Sequence, residues 1–577
     1  MKALNLTDFP LDSLSLIEAS AGTGKTYALA NLYLRYLLER GFNVEQILVV
    51  TFTEAATQEL KDRIRLRIQE LRSVFEGAET KDPILNHLLN QSTSPEKDQL
   101  NLRLAERQID QAQIHTIHGF CQQILKRHAL DSKVPLKQAL LEDQTQLRKA
   151  ALEDYWRRYI LNLATEELQF IVKKWPEPSA LQNELSSLLN RSPEAIIPSP
   201  SGAGLAHWQE SFKAYRAWFL ELKETTLSMI AGVEILLNDI PLKSNNTKLK
   251  WLGQLRAWAE TPVLDFKLPT DSKKEVLFER FTTSRVVIDT PKNKATPEHA
   301  YFDFLEVHFE KQLPDVHALF IAQSYPLVRK LIDEAKQQQN VFSFDDLISR
   351  VSNALSSDEG ENKTLASTIG APYHVALIDE FQDTDPAQYH IFDSVFGTGS
   401  PKQDARLVLI GDPKQAIYGF RGGDVTTYLR AKHSISRHSK GHVFTMETNW
   451  RSSPSMVAAV NAVFESAPNA FMAEDIPFQA VKAAKSTPDS LPSQALFISQ
   501  FKVEKASKGQ IESNLALQCV KQIKYLLSQA KTLRLEGGKA LQHSDIAILV
   551  RSGKEGEIIK NALAEQGLSA TLDSQAS

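Results

Sequence analysis

The sequence predicts an α/β fold built on a parallel sheet and interrupted by a large helical insertion. Three observations carry this reading. Short, uncharged apolar runs alternate with helical patterns over residues 14–130, and the alternation resumes near residue 340. One of those runs leads directly into a glycine-rich loop followed by a helical pattern. Between the two stretches, residues 131–340 show helical patterns and polar loops with few strand candidates.

The first strand is the run Leu14 to Ile17, followed by Glu18-Ala19-Ser20-Ala21-Gly22-Thr23-Gly24-Lys25-Thr26. Gly22 and Gly24 let the backbone bend so that successive N–H groups converge on phosphate oxygens. Lys25 sets a point charge near β- and γ-phosphates, and Thr26 offers a hydroxyl to Mg²⁺. The helix that follows presents its positive end to the same anion. Residues Ala19 to Thr26 therefore read as a nucleotide-phosphate cradle, with Ala19 at the place where the pattern often has glycine. A chance glycine-rich turn is the bland alternative, and the strand before and helix after weigh against it.

Ile47 to Phe52 is a second buried strand. From Thr53, a predicted N-cap, Leu60, Ile64, Ile68, Leu71 and Phe75 recur every three to four residues, as in an amphipathic helix. Val375 to Ile378 and Leu407 to Ile410 continue the sheet, and a further section from about 447 offers Ala495 to Phe501 and Ile546 to Val550 as strands. Six of the seven tryptophans (Trp156, Trp175, Trp208, Trp218, Trp251 and Trp258) fall within 131–340, so that insertion is expected to pack its own core.

At 577 residues the chain suggests three or four domains. Its 42% hydrophobic and 24% charged residues are ordinary for a globular protein. A net charge of −4 does not favour a polyanion partner, although a basic groove can sit on an acidic body. Cys121 and Cys519 lack metal-type spacing, which points away from a disulfide framework and towards a reducing cytoplasm. No signal-peptide pattern or bilayer-length apolar run is visible, so no membrane association is expected.

Two strand ends carry the remaining chemistry. Asp379 and Glu380 follow Val375 to Ile378; there Asp379 would reach a Mg²⁺ and Glu380 would polarise an attacking water, with a solvated acidic loop as the bland alternative that the phosphate loop in the same chain weighs against. The second is Gly411-Asp412-Pro413-Lys414-Gln415-Ala416-Ile417-Tyr418-Gly419-Phe420-Arg421-Gly422-Gly423-Asp424. Gln415 can bond a γ-phosphate and the attacking water, and Phe420 on a basic, glycine-flanked loop suits base stacking. Thr448-Asn449-Trp450-Arg451-Ser452 adds an arginine for phosphate charge and an aromatic for an adenine face.

In order and wording, ASAGTGKT, VVTFTEAATQEL, IHTIHGFC, LIDEFQDTDPAQY, LIGDPKQAIYGFRGGD and TNWRS resemble the motifs of superfamily 1 helicases of the UvrD/Rep type. IEASAGTGKT with TFTEAAT is similar to the RecB branch, the β subunits of exodeoxyribonuclease V. The resemblance spans 14–130 and 340–460 and returns at IAILVRSGKE. It implies a P-loop NTPase (RecA-like) motor domain in two parts, 1–130 and 341–446, around a mostly helical insertion, 131–340. A second RecA-like domain then begins at 447 and is incomplete by 577.

The same resemblance implies ATP with Mg²⁺, held by Ala19, Ser20, Ala21, Gly22, Thr23, Gly24, Lys25 and Thr26, with Asp379 as a metal residue and Trp450 on the adenine. Glu380, Gln415, Arg451 and Arg421 are the implied catalytic residues, Gln415 and Arg451 at the γ-phosphate and Arg421 between nucleotide and DNA. Phe52, Thr116, His118, Tyr418 and Phe420 are the implied DNA contacts. The Phe344-Asp345-Asp346-Leu347 segment also matches, with no role for its aspartates.

The implied activity is ATP-driven 3′ to 5′ translocation on single- and double-stranded DNA ends beside RecC-like and RecD-like subunits, in double-strand break repair. The family's adenine-recognition glutamine motif, its Lys-Gly-Leu-Glu and Ala-Leu-Thr-Arg-Ala motifs and its nuclease domain are not found. The expectation is thus an N-terminal half with weakened turnover. A nucleotide- and DNA-binding or partner-docking module is the alternative. An unrelated kinase fits less well, having no use for a base-stacking loop.

Overall fold

The computed structural model describes residues 2–128, 139–141, 143–189, 196–200, 204–262, 266–292, 294–311, 313–357, 364–400, 406–417, 423–471, 475–484, 496–500, 507–529 and 539–572. The chain divides into two compact units. The first comprises Met1–Phe120, Leu355–Ala416 and Asp424–Ser577; the second comprises Cys121–Ala354 and Ile417–Gly423.

The first unit is built on a seven-stranded, all-parallel sheet. Its strands are β1 (Lys2–Ala3), β2 (Leu14–Ala19), β3 (Ile47–Thr51), β4 (Gln113–Thr116), β5 (Val375–Ile378), β6 (Leu407–Gly411) and β7 (Gly441–Met446). Their order is β1-β7-β2-β6-β5-β3-β4. The central strands β2, β3, β5 and β6 are buried along their whole length, as expected of strands covered on both faces. Helices α1 (Lys25–Glu39) and α2 (Glu54–Phe75) belong to the core that covers one face. Leu29, Leu32 and Tyr36 of α1 and Ile64, Ile68 and Leu71 of α2 are buried in one cluster with Ile17, Val49, Leu377 and Val408 of the sheet. The Thr53 hydroxyl caps α2 by accepting from the Ala56 N–H at 3.1 Å.

β6 lies between β2 and β5, with Glu18 in register with Gly411 and Leu409 with Ile378. The C-terminal ends of β2, β6, β5 and β3 therefore open on one side of the sheet, where parallel sheets bind ligands.

The second unit holds two cores. Trp175, Trp208, Phe212 and Phe320 lie in one; Leu222, Ile230, Leu252 and Tyr301 lie in the other. The helix Ala206–Asp239 contributes to both. A two-residue parallel pair, Ala139–Leu140 with Val341–Phe342, is its only named sheet among the described residues.

The unit boundaries fall inside unbroken helices, Ile117–Arg127 and Phe344–Ser357, rather than at the composition changes near 131 and 340. The section from 447, read from sequence as a separate domain, groups with the sheet. Residues 496–500 and 546–550 are not strands, nor do they pair with any described strand; Ile498 and Leu549 are 85% and 97% exposed. β-branched apolar residues favour a strand only where a neighbour completes the ladder. Ala495 and Phe501 lie outside the described residues.

Candidate nucleotide site

The loop after β2 is held open by its own geometry. Gly22 and Gly24 sit at φ +76° and +95°, which side chains disfavour. A Cβ on Gly22 would lie 2.8–2.9 Å from the Asn449 side chain. Thr23 closes the turn through its hydroxyl and its N–H, both donating to the Ser20 carbonyl at 2.7 and 3.2 Å. Gly24 is the N-cap of α1 with no side-chain cap, and no acid stands in the first turn. The first amides of α1 therefore keep their donors and the positive helix end for an anion.

Facing the loop is the acidic pair. The Asp379 N–H donates to the Val50 carbonyl at 2.8 Å, holding the end of β5 against β3. Glu380 then turns into the left-handed region at φ +49°. Its Oε2 lies 2.6 Å from the Lys25 Nζ and accepts from Gln382 Nε2 at 2.7 Å. Burial pushes the Asp379 carboxyl up to about 6; the Glu380 charge adds to this, and Lys25 opposes it.

Gln382 joins this pair to the next strand end, its Oε1 accepting the Asp412 N–H at 2.9 Å. The Asp412 carboxylate accepts from Gln415 Nε2 at 2.7 Å and pairs with Lys414 at 2.8 Å. Lys25, Glu380, Gln382, Asp412 and Gln415 thus form one hydrogen-bonded chain. Gln382 and Asp412 were not singled out from sequence, although both stand inside the LIDEFQD and LIGDPKQ runs.

The segment Thr448–Asn449 leads the third group across the phosphate loop. Asn449 Nδ2 donates to the Ala21 carbonyl at 2.9 Å, while its Oδ1 accepts from the N–H of Arg451 and of Ser452 at 3.0 and 2.8 Å. The Trp450 N–H donates to the Gly22 carbonyl at 2.8 Å. Trp450 is 65% exposed, with Cδ1 3.8 Å from where a Cβ on Gly24 would stand. Arg451, Gln415, Ser20 and Gly22 line a cavity of about 280 Å³ backed by Val460 and Phe464.

The expected DNA contacts are less uniform. Phe52 is half-buried at the end of β3, and His118 is half-buried in the first turn of Ile117–Arg127. Thr116 is buried, its hydroxyl donating to Glu54 at 2.9 Å and accepting the Gly119 N–H at 3.2 Å. Its hydroxyl thus ties the start of the helix Ile117–Arg127 to Glu54 at the head of α2. Tyr418, Phe420 and Arg421 lie outside the described residues.

A parallel sheet with a phosphate loop, and an acidic pair one strand removed from it, define a P-loop NTPase domain. The UvrD/REP helicase N-terminal domain matches residues 5–436, and the chain belongs to that helicase family. Over 96% of its length the chain is 35% identical to the RecBCD enzyme subunit RecB of Escherichia coli (strain K12), covering 47% of that protein. It is 32% identical over 98% of its length to the RecB subunit of Haemophilus influenzae, covering 50%, and 28% identical over 79% to that of Chlamydia trachomatis, covering 43%. The chain thus spans about half the length of the curated relatives it matches. No helix among the described residues is long and apolar enough to cross a membrane.

Proposed function

We propose that this chain is the ATP-driven motor portion of a RecB-type DNA helicase subunit. In this reading it moves 3′ to 5′ along one strand from a DNA end, in the cytoplasm, beside RecC-like and RecD-like subunits in double-strand break repair. The parts are the motor domain, its helical insertion and, from 447, the start of a second motor domain. The observation that carries the reading is the convergence of Lys25, Glu380, Gln415 and Arg451 around one phosphate loop.

The residues fit ATP with Mg²⁺. The uncapped loop amides and Lys25 suit phosphates, and Thr26 and Asp379 supply hard oxygen donors. When bound, Mg²⁺ neutralises charge on the phosphate oxygens.

Lys25 leaves Glu380 to meet the β- and γ-phosphates. The freed Glu380 carboxylate orients the attacking water and draws on its proton. Gln415 leaves Asp412 to bond that water or the γ-phosphate, and Arg451 offsets charge as the terminal P–O bond breaks. Trp450 covers the base. The half-buried Phe52, with Phe420, stacks bases so that each nucleotide cycle advances the strand.

The test is steady-state ATP hydrolysis by the purified chain, with and without oligothymidylate, beside Lys25→Ala. DNA-stimulated turnover that disappears in Lys25→Ala is the expected result. ATP and DNA binding without turnover identifies a binding module instead, and failure to bind ATP overturns the reading.

A further inference from the structure

A groove of about 1120 Å³ runs along the outer edge of the sheet in the first unit, between β7 and the helix α3 (Val425–Arg437). Its charged lining is Lys2, Arg430, Lys432, His433, Arg437 and His442 against one acid, Asp475. That is four cations, before either histidine is counted, on a chain whose net charge is −4. Lys432 is paired with Glu18 at 2.8 Å, while Arg430 donates to the Thr427 hydroxyl at 3.0 Å, lies 3.8 Å from Asp424 and keeps a 64% exposed side chain. No described acid pairs with Lys2, His433 or Arg437. Gly441 is in register with Leu14, so the groove begins at the end of β7 remote from the phosphate loop.

We propose that this groove carries the phosphate backbone of a DNA strand, at a second contact away from the nucleotide site. The inference rests on the DNA-motor reading and adds a surface to it. Arg430, His433 and Arg437 lie three and four residues apart, on one face of α3, spanning about 10 Å. A cationic row of that length matches a short run of phosphates. Across from it, the His442 ring is backed by Phe444, centroids 5.9 Å apart and planes at 24°, which makes a flat seat for a base.

An acidic peptide fits less well. Adding a strand needs a free sheet edge, and β1 already pairs with Phe444 and Thr445, leaving on β7 only Gly441 to Val443 and Met446.

The test is anisotropy of labelled oligothymidylate against salt concentration, for the parent chain, for Arg430→Gln with Arg437→Gln, and for His442→Ala. Removing two phosphate contacts should flatten the slope of log K on log salt by about 1.4 and weaken binding roughly tenfold. His442→Ala should weaken binding while keeping the slope. Nucleotide affinity and melting temperature should match the parent in both.

An arginine variant with the parent's slope and affinity overturns the groove and leaves the motor reading standing. A parent that binds no oligothymidylate overturns both. Polyglutamate binding that is lost in the arginine variant, with the DNA slope unchanged, also overturns the groove and assigns it to acidic peptide.

Discussion

The Lys25 ammonium lies 2.6 Å from the Glu380 carboxylate, so the cation proposed for phosphate is held by the group proposed for water. In the proposed function, nucleotide has to break this pair before either residue can act. Glu380 is about one-third exposed, and an ion pair of that kind contributes at most about 1 kcal/mol. Glu380→Gln should therefore tighten ATP roughly three- to fivefold in a fluorescent-nucleotide titration, while hydrolysis falls about 100-fold or more. Lys25→Ala should weaken ATP instead. Unchanged or weaker affinity in Glu380→Gln would show that the pair does not compete with nucleotide.

Asp379 predicts a pH dependence. Burial raises its carboxyl from the ordinary value near 3.8 to about 6. A raised folded value means the protonated form suits the fold, so this contribution to stability is full below pH 3.8 and lost as pH rises through about 6. Asp379→Asn removes the cost of the charge. Its gain over the parent, on the order of 1–2 kcal/mol after allowance for partial exposure, should be present at pH 8 and vanish near pH 4. Hydrolysis should be lost at every pH. Equal melting temperatures at pH 8 would contradict this account.

The central strands were legible because β2, β3, β5 and β6 are short, largely apolar and buried along their length, with Glu18 of β2 the one charged residue, which leaves few alternatives for runs such as VALI and LVLI. α2 was legible from its cap and its apolar spacing. β7 was not, because Gly-His-Val-Phe-Thr-Met is mostly half-exposed and lacks a continuous apolar run. The opposite error arose at 496–500 and 546–550, where side-chain preference is strong and no described strand offers a ladder. In the site, Lys25, Asp379 and Glu380 could be read from loop chemistry. The bridging work of Gln382, Asp412 and Asn449 could not, since it depends on strand order.

Asn449 is 7% exposed and ties the phosphate loop to the Arg451 amide. Asn449→Ala leaves the Ala21 carbonyl and two amides without their partner, at about 1–3 kcal/mol. The damage should fall on positioning: kcat down about tenfold, with ATP affinity changed less. Asn449→Asp, which keeps the acceptor for Arg451 and Ser452, should recover part of kcat. A loss confined to affinity would mean that Asn449 supports the loop but not the arginine.

Asp346 receives a structural role from its partners. Its two oxygens take the Lys336 ammonium at 2.9 and 2.8 Å, and Oδ2 also takes the Ser343 N–H at 2.7 Å. Burial would raise its carboxyl, but the bonds from Lys336 and Ser343 outweigh burial and hold it below the ordinary range. The Lys336 side chain is 10% exposed, so Asp346→Ala would leave a nearly buried cation with the Ser343 hydroxyl at 3.0 Å but without its direct carboxylate partner. Asp346→Ala should cost about 2–3 kcal/mol in thermal melts, and Asp346→Asn less. A depressed folded value contributes stability above the unfolded value near 3.8 and loses it as pH falls further. The gap between parent and Asp346→Asn should thus be full at pH 7 and close below pH 4. ATP affinity should not change, because Asp346 and the Lys336 and Ser343 it bonds all belong to the insertion unit; a weakened ATP affinity would move it from the fold of the insertion into the motor's working parts.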